Sequence, residues 1–329
     1  MNEKLLTRRG VLRAVGTLAA GSALKAEEPA GRITPLSEIV NTLEFESMAQ
    51  RKLPAAVFAA IAGSNREDIE RCTFRPVPMV DTTKLDLTTE LFGQSMYAPI
   101  LIGPAADLGK IHGEGELAMV RGASAAKTVT VISSSAGPGM EKIIAEAKGT
   151  IWYQVFPDAS GLERAQAAVK IGCKVVVVTV RNPQNPDWLA IDRVRKGLTV
   201  PVVLKGVITA KDAQIAVKRG VQGIVVSNYG AQAAPSSFAA LPSIADAVGG
   251  KIPVLVDGGF RRGTDILKAL ILGAQAVLVT RPPLWGLAAY GADGVQAVME
   301  MLQTELARNM IMIGAQTPKA INRSMLKFH

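Results

Sequence analysis

Eight short apolar runs recur along the chain, and each is rich in valine, isoleucine or leucine. Between them lie segments whose apolar residues recur with the period of a helix, such as "TAKDAQIAVKRG" and "GTDILKALILG". Runs of this length, most of them ending in Gly, Ser, Asn or Thr, are typical of buried parallel strands. The runs are "APILIGPA" from Ala98, "TVTVISS" from Thr128, "TIWYQVF" from Thr150, "CKVVVVTV" from Cys173, "PVVLKG" from Pro201, "QGIVVSN" from Gln222, "IPVLVDGG" from Ile252 and "AQAVLVTR" from Ala274.

The alternation of strand and helix, roughly every 20 to 30 residues, predicts an α/β fold with a single (β/α)8 TIM barrel over residues 98–314. A doubly wound open sheet is the alternative, and eight nearly regular units favour closure. Residues 27–97 read as an N-terminal helical extension that caps the bottom of the barrel or lines part of its mouth. Residues 315–329 read as an irregular C-terminal tail.

Polar residues stand at the ends of several predicted strands. In a barrel of this kind the functional groups lie at the C-terminal ends of the strands. Polar residues are uncommon in a packed core, so their presence at these ends indicates a site. The polar candidate site residues at these ends are Ser133, Gln154, Thr179, Lys205, Ser227, Asp257 and Thr280. Ala105 and Ala106, at the end of the first strand, are candidates as well.

The loops after the seventh and eighth strands carry "DGGFRRG" and "TRP". Loops in these two places often bind phosphate in such barrels. Gly258 and Gly259 let backbone N–H groups approach an anion, while Arg261 and Arg281 complement its charge. The two loops together predict a phosphate site, and the neighbouring Arg262 reads as a solvent-facing charge.

The composition fits a large soluble domain. The chain has 329 residues, 48% of them hydrophobic, which is enough to bury a sizeable core. Its formal charge is +9, but the basic residues are scattered and only 5% of residues are aromatic, so the chain does not resemble a nucleic-acid-binding protein. Cys72 and Cys173 are too few for a disulfide framework or a metal cluster, and Cys173 reads as a small core residue.

The N-terminus has the layout of an export signal. Arg8 and Arg9 in "TRRGVLR" precede a weakly apolar run over residues 14–24 and a plausible cleavage zone near Ala26. The arginine pair resembles the twin-arginine motif, so residues 1–26 are predicted to be removed and the protein to be periplasmic or otherwise exported. An ordinary amphipathic helix on a cytoplasmic protein is the alternative. The run is too short for a permanent span, and no other segment reads as transmembrane.

Five stretches carry a resemblance to a known family. They are "APILIGPAADLGKIHGEGE", "WYQV", "VVLKGVITAKDA", "GIVVSN" and, most specific, "LVDGGFRRGTDILKALILGAQAVLVTRPPLWGLAAYGADGV". From about residue 43 to residue 314 the chain resembles the FMN-dependent α-hydroxy acid dehydrogenases and oxidases, which include glycolate oxidase and L-lactate dehydrogenases. The resemblance implies a TIM barrel with FMN at its mouth, a small-molecule electron donor and an acceptor that it does not specify. Members of this family often form homo-oligomers.

The resemblance also implies roles for the residues at the strand ends. The backbone at Ala105 and Ala106 would contact the flavin ring, and Ser133, Gln154 and Thr179 would hydrogen-bond it. Lys205 would lie near flavin N1 and O2, where a positive charge stabilises the reduced ring. The positions that match the ribityl and phosphate cradle are Asp257, Gly258, Gly259, Arg261 and Arg281, and the strand-end residues Ser227 and Thr280 complete the cofactor-binding set.

The substrate side departs from the family. Where members have a catalytic histidine and, three residues later, an arginine that binds the carboxylate, this chain has Tyr229 and Gln232 in "SNYGAQ". Two family tyrosines fall on Ala60 and Phe156, and the second substrate arginine has no counterpart in "RNPQNPDW". A phenol, with a pKa of about 10, is a poor base at neutral pH. The histidines elsewhere, at positions 112 and 329, do not offer a replacement.

Three hypotheses follow from this pattern. The first is a flavoenzyme whose substrate is not a simple α-hydroxy acid, with Tyr229 orienting the donor. The second is a non-catalytic flavin-binding protein. The third, a barrel that has lost flavin, is disfavoured because Lys205 and Gln154 serve a ring rather than a phosphate. Whether Tyr229 has a function or only fills space stays open at this point.

Overall fold

Eight parallel strands close into a barrel, as the apolar runs predict. In the computed structural model of the protein, each strand pairs with the next one along the chain, and the last pairs with the first through Val277 and Ile100. This closing pair excludes the open doubly wound sheet. The structure describes residues 32–63, 66–77, 81, 83–182, 185–229 and 235–328. Residues 35–329 form one compact unit.

Strands and helices alternate through the barrel. The strands are β1 (Cys72–Phe74), β2 (Thr89–Leu91), β3 (Gln94–Met96), β4 (Ile100–Ile102), β5 (Val129–Ser133), β6 (Ile151–Val155), β7 (Val176–Thr179), β8 (Val202–Val207), β9 (Gly223–Val226), β10 (Val254–Asp257), β11 (Ala276–Val279) and β12 (Leu326–Phe328). The helices are α1 (Glu44–Lys52), α2 (Ala55–Ile61), α3 (Glu67–Glu70), α4 (Gly115–Ala125), α5 (Met140–Glu146), α6 (Gly161–Lys170), α7 (Trp188–Lys196), α8 (Ala210–Lys218), α9 (Ser237–Val248), α10 (Gly263–Ile271) and α11 (Arg281–Met312). Short 3-10 helices cover Leu36–Glu38, Leu108–Lys110, Pro318–Ala320 and Arg323–Met325.

The lower half of the barrel interior is filled by apolar side chains from all eight barrel strands. Trp152, fully buried, is the largest of them. A β-hairpin made of β2 and β3 adds Leu91 and Met96 to the same cluster, and Phe92 in its turn packs edge-on against Trp152 at 5.4 Å. The hairpin therefore closes the bottom of the barrel and leaves only the opposite end open to ligands.

The segment before the barrel is less uniformly helical than its sequence indicates. It holds three helices but also β1, β2 and β3, each only three residues long. Strands this short carry no readable alternation, which explains why the sequence pattern does not show them. The same segment reaches the mouth, because the backbone carbonyl of Gly63 accepts hydrogen bonds from Arg261 and Arg281 at 2.9 and 2.7 Å.

The C-terminal tail is ordered by pairing across the fold. The sequence predicts an irregular tail, whereas the structure shows β12 antiparallel to β1, with Cys72 opposite Phe328. Leu326, which lies opposite Phe74 in this pair, is buried. Such long-range pairing depends on the fold around it and not on a local pattern.

The sequence predicts a buried position for Cys173 and a solvent-facing one for Arg262, and the structure confirms only the first. Cys173 is buried as predicted, and burial raises the pKa of its thiol to about 12. Arg262, in contrast, is not simply solvent-facing, because its Nε lies 2.8 Å from a carboxylate oxygen of Glu305 on α11.

The long helix α11 turns back on itself at Gly291, whose backbone is not helical (φ 62°, ψ −139°). The turn brings the backbones of Gly286 and Gly294 together, and a Cβ built at Gly286 would lie 2.6 Å from the carbonyl carbon of Gly294. This approach is too close for any residue but glycine.

Within the described residues, no helix has both the length and the hydropathy needed to cross a bilayer.

We expect Gly286→Ala to lower the free energy of unfolding by about 1–3 kcal/mol, because the added methyl group meets backbone that has no room to move. Gly109→Ala is the matched control, since nothing lies within 4 Å of a Cβ at that position. The control should be neutral or gain up to about 1 kcal/mol from the stiffer unfolded chain. Urea denaturation of both variants makes the comparison, and equal midpoints would contradict the close approach.

Candidate active site at the mouth of the barrel

A layer of mostly polar side chains lies directly above the apolar core. Side chains along a strand alternate between the two faces, so residues two apart point the same way. One core residue from each barrel strand lies in the lower layer: Leu101, Val131, Trp152, Val177, Val203, Val225, Leu255 and Leu278. Two positions further along stand Gly103, Ser133, Gln154, Thr179, Lys205, Ser227, Asp257 and Thr280. The predicted strand-end residues therefore form one ring around the barrel axis.

This ring forms part of the floor of a cavity of about 310 Å³. Its position at the C-terminal ends of the strands is where barrels of this kind carry their chemistry. The residues that line it are Pro104, Ala105, Ala106, Ser133, Ser135, Gln154, Phe156, Thr179, Arg181, Lys205 and Tyr229. The structure thus brings seven of the predicted site residues to one cavity and adds Arg181 and Ser135, which the sequence does not single out.

Hydrogen-bonding groups on the cavity floor are left without partners. Strand register sets Ser133 beside Gln154, and the Ser133 hydroxyl donates to Gln154 Oε1 at 3.0 Å. The side-chain nitrogen of Gln154 and the hydroxyl of Thr179 are buried and make no hydrogen bond within the described structure. Buried polar groups rarely stay unpaired in the working state of a protein. These two atoms are therefore suited to a ligand that presents hydrogen-bond acceptors to the floor.

Lys205 is held from two sides. Its Nζ lies 2.6 Å from Asp257 Oδ2 and donates to Ser227 Oγ at 3.0 Å. The side chain of Lys205 is only 7% exposed, so the carboxylate of Asp257 offsets most of the cost of burying its charge. Ser227 Oγ also accepts a hydrogen bond from the backbone N–H of Tyr229 at 3.3 Å. Lys205 is thus a fixed cation in the floor of the cavity.

A cationic cluster lies beside Gly258 and Gly259, both of which have positive φ (118° and 85°). Arg261 is 4% exposed, and its guanidinium donates to the carbonyl groups of Phe260 and Gly63. Burial and the nearby charge of Arg281 lower the pKa of Arg261 to about 9. At neutral pH the guanidinium still carries its charge, in surroundings that disfavour it. An anion at this place would relieve that cost.

One wall of the cavity is aromatic. The rings of Tyr229 and Phe156 meet edge to face at a centroid distance of 6.4 Å. The guanidinium carbon of Arg181 lies 3.9 Å from the centroid of Phe156. Tyr229 is 48% exposed and has a left-handed backbone (φ 55°), which is uncommon for a residue with a large side chain. The aromatic ring therefore stands at the open mouth and not in a packed core.

Gln232 and His112 are two further residues that the sequence raises for the substrate side of the site. Gln232, predicted at the family's arginine position, lies outside the described residues. His112 lies away from the cavity: its Nδ1 accepts a hydrogen bond from the backbone of Glu114 at 3.2 Å, and its ring packs against Gly291. None of the residues that line the cavity is a histidine. The cavity wall thus supplies no imidazole as a proton acceptor.

Comparisons with known proteins agree with one another. The sequence profile of the FMN-dependent dehydrogenases matches residues 55–184 and 180–328. Glycolate oxidase 3 of Arabidopsis thaliana is 33% identical over 88% of this chain and 96% of its own length, and glycolate oxidase of Spinacia oleracea is 32% identical over 87% and 95%. Among solved structures, a mandelate oxidase with (S)-2-phenylpropionate superposes with a TM-score of 0.82 at 33% identity, covering 88% of this chain and 98% of that one. A mandelate oxidase mutant with a C4a-OH-FMN adduct also gives 0.82 at 33% identity, over 87% and 99%.

We expect inorganic phosphate to stabilise the ligand-free protein through the cationic cluster. A ligand at ten times its dissociation constant raises the free energy of unfolding by about 1.4 kcal/mol. Arg281→Gln should remove most of this gain. Arg262→Gln, whose side chain is instead paired with Glu305, should keep it. Thermal melts in phosphate and in chloride of equal ionic strength provide the measurement, and equal gains in both variants would place the anion elsewhere.

Proposed function

The chain belongs to the family of FMN-dependent dehydrogenases and is an FMN-dependent oxidoreductase, and from that premise we propose that its substrate is not a simple α-hydroxy acid. The observation that carries the proposal is Tyr229, which stands at the mouth where the family's histidine is expected. The cavity offers no imidazole in its place. A tyrosine accepts a proton only as its phenolate. At neutral pH the phenolate is populated only if the pKa of the phenol is strongly lowered.

The residues at the mouth fit the cofactor. The free side-chain nitrogen of Gln154 and the free hydroxyl of Thr179 suit the polar edge of a flavin ring. Ala105 and Ala106, whose small side chains line the cavity, leave room for a flat ring against the backbone. Bound FMN supplies a two-electron acceptor. We assign the ring to this floor, with Ser133 holding the Gln154 amide in place.

The phosphate end of the cofactor suits the other side of the mouth. Gly258 and Gly259 expose backbone beside Arg261 and Arg281, and the carboxylate of Asp265 near Arg261 is already paired with Arg66 at 2.7 Å. Asp257 ends β10 and Thr280 directly follows β11. These strand ends place the two side chains between the arginine cluster and the floor of the cavity. We therefore assign Asp257, Gly258, Gly259, Arg261, Thr280 and Arg281 to the ribityl and phosphate groups.

Lys205 is assigned to the reduced state of the ring. Reduction adds negative charge to a flavin, and a fixed cation beside it stabilises that charge. The hydroxyl of Ser227 and the carboxylate of Asp257 hold the ammonium group from two sides. The chain thus keeps what a flavin needs in order to accept electrons, while the groups that would take a proton from an α-hydroxy acid are missing.

The names of the relatives make the contrast concrete. Glycolate oxidases and mandelate oxidases are named for α-hydroxy acids that they oxidise. In this chain, Tyr229 and Gln232 replace the base and the carboxylate-binding arginine that the resemblance implies. A donor that needs no strong base at this point, with Tyr229 orienting it by a hydrogen bond from its phenol, fits the site better.

We expect the purified chain from residue 27 onward to show flavin bands at roughly 370 and 450 nm. These bands should not bleach when L-lactate or glycolate is added without oxygen, because the cavity offers no imidazole base. Dithionite is the positive control: it should bleach the bands, which would show that the bound ring can be reduced. Rapid bleaching by either acid would overturn the assignment of Tyr229.

The same spectra separate the neighbouring hypotheses. A flavin that no small-molecule donor reduces, in a screen of alcohols, amines and acids, would favour a flavin-binding protein without turnover. A colourless protein that does not take up added FMN would contradict the assignment of the ring to this floor. Tyr229→His is the informative variant, since partial bleaching by glycolate would show that the base is the missing part.

We also propose that the protein is exported through residues 1–26, which lie outside the described residues. The basis is the Arg8–Arg9 pair before a short apolar run. The twin-arginine route carries proteins already folded, which suits a cofactor-bound barrel. A reporter fused to residues 1–30 should leave the cytoplasm, and replacing both arginines by lysine should retain it. Retention of both fusions would favour a cytoplasmic protein.

A further inference from the structure

The described residues that line the cavity include no group that takes up a proton at neutral pH. The ionisable side chains among them are Arg181, Lys205 and Tyr229, two cations and a phenol. A lysine or arginine already carries its proton, and a phenol has a pKa of about 10 in water. The stretch after Tyr229, which lies outside the described residues, has the sequence "GAQAA" and no ionisable side chain.

Two carboxylates near this cavity are each held by a cation. Asp257 Oδ2 lies 2.6 Å from Lys205 Nζ. On the loop after β6, Asp158 accepts two hydrogen bonds of 2.8 Å from Arg164, and the charge of Arg181 attracts it as well. Desolvation raises the pKa of Asp158, but the hydrogen bonds and charges of these arginines lower it by more. Both carboxylates are therefore engaged with cations and do not serve as free bases.

A cavity of this kind restricts which donors can reduce a flavin. An alcohol or hydroxy acid that gives up a hydride must also lose its O–H proton, and an ammonium group must lose a proton first, so both need a base. A dihydropyridine needs none, because its hydride leaves with the electron pair and the ring becomes an aromatic pyridinium cation. The flavin gains the hydride and one negative charge, which Lys205 is placed to stabilise.

The charges beside the aromatic wall favour a donor that carries phosphate. Arg164 and Arg181 approach Asp158, and Arg193 donates to the backbone carbonyl of Asp158 at 2.8 Å. Three cations thus surround one carboxylate, and Arg181 and Arg193 are exposed. Exposed cations of this kind attract anionic ligands and repel a protonated amine.

We propose that the electron donor is a reduced nicotinamide nucleotide, whose dihydropyridine ring packs against Tyr229 and whose phosphates lie towards the arginines around Asp158. The proposal rests on the proposed function and names its substrate class. Tyr229 is 48% exposed at the open mouth, so its ring is accessible to a planar donor. Its phenol can also donate a hydrogen bond to the carboxamide oxygen of the nicotinamide. The hydride then passes to the flavin without help from a base.

The first test is a calorimetric titration of the FMN-loaded protein with tetrahydro-NAD and tetrahydro-NADP, which resemble the donor but transfer no hydride. Tyr229→Asn removes the ring, and asparagine tolerates the left-handed backbone at this position. It should weaken binding by about tenfold, because an aromatic contact and a hydrogen bond are lost. Tyr229→Phe loses only the hydrogen bond, so its affinity should fall between the two.

Tyr97→Asn is the matched control. Tyr97 is 47% exposed, close to the value for Tyr229, but it precedes β4 at the other end of the barrel and does not line the cavity. This variant should bind the analogues like the unmodified protein. Equal affinities in Tyr229→Asn and the unmodified protein would contradict the proposal, and so would an unmodified protein that binds neither analogue.

The second test is anaerobic mixing with NADH and, separately, with NADPH, followed through the absorbance of bound FMN. At least one nucleotide should bleach the flavin bands, and deuterium at the transferred position should slow the bleaching. Bands that neither nucleotide bleaches, although dithionite does, would overturn the inference. Glycolate in parallel samples tests the proposed function separately: bleaching by glycolate contradicts that function, whereas no bleaching by glycolate or by either nucleotide contradicts only the choice of donor.

Discussion

The closed barrel forces every strand residue to face either the interior or the helices, and the site depends on this constraint. A residue such as Trp152 that fills the lower interior commits the residue two places later, Gln154, to the mouth. The hairpin of β2 and β3 closes the other end, so the polar layer has protein below it and solvent only above. The unpaired amide of Gln154 and hydroxyl of Thr179 are tolerable in this position because a ligand can satisfy them.

Charge is distributed unevenly around the mouth, and this unevenness determines what can bind. The ammonium group of Lys205 is held in the floor by its ion pair with Asp257. Arg261 is buried close to Arg281, and the mutual repulsion and burial together favour an anion between them and the glycine loop. Arg181 carries a third positive charge on the opposite, aromatic side. Positive charge therefore lies on two sides of the mouth, one beside the glycine loop and one on the aromatic wall.

Much of this arrangement is predictable from the sequence, for a physical reason. The barrel strands are buried on both faces, so runs such as "VVVT" in β7 are unmistakable, and their polar ends stand out. The pairing of β1 with β12 is not predictable, because three-residue strands have no period and depend on distant partners. Arg181 is missed for another reason: a single arginine in a polar loop has no special spacing, and only the structure shows that it stacks on the ring of Phe156 and lines the cavity.

The two sides of the site are positioned by different kinds of interaction, which explains how one can change without the other. Ser133, Gln154, Thr179 and Lys205 lie on strands whose hydrogen-bond ladders fix them relative to one another. Tyr229 and Arg181 lie on the loops that follow β9 and β7, where a few contacts hold each side chain. A substitution in such a loop alters the wall that meets the substrate but leaves the ladders intact. A barrel can therefore keep the floor of its mouth while the loop residues that form the wall above it change.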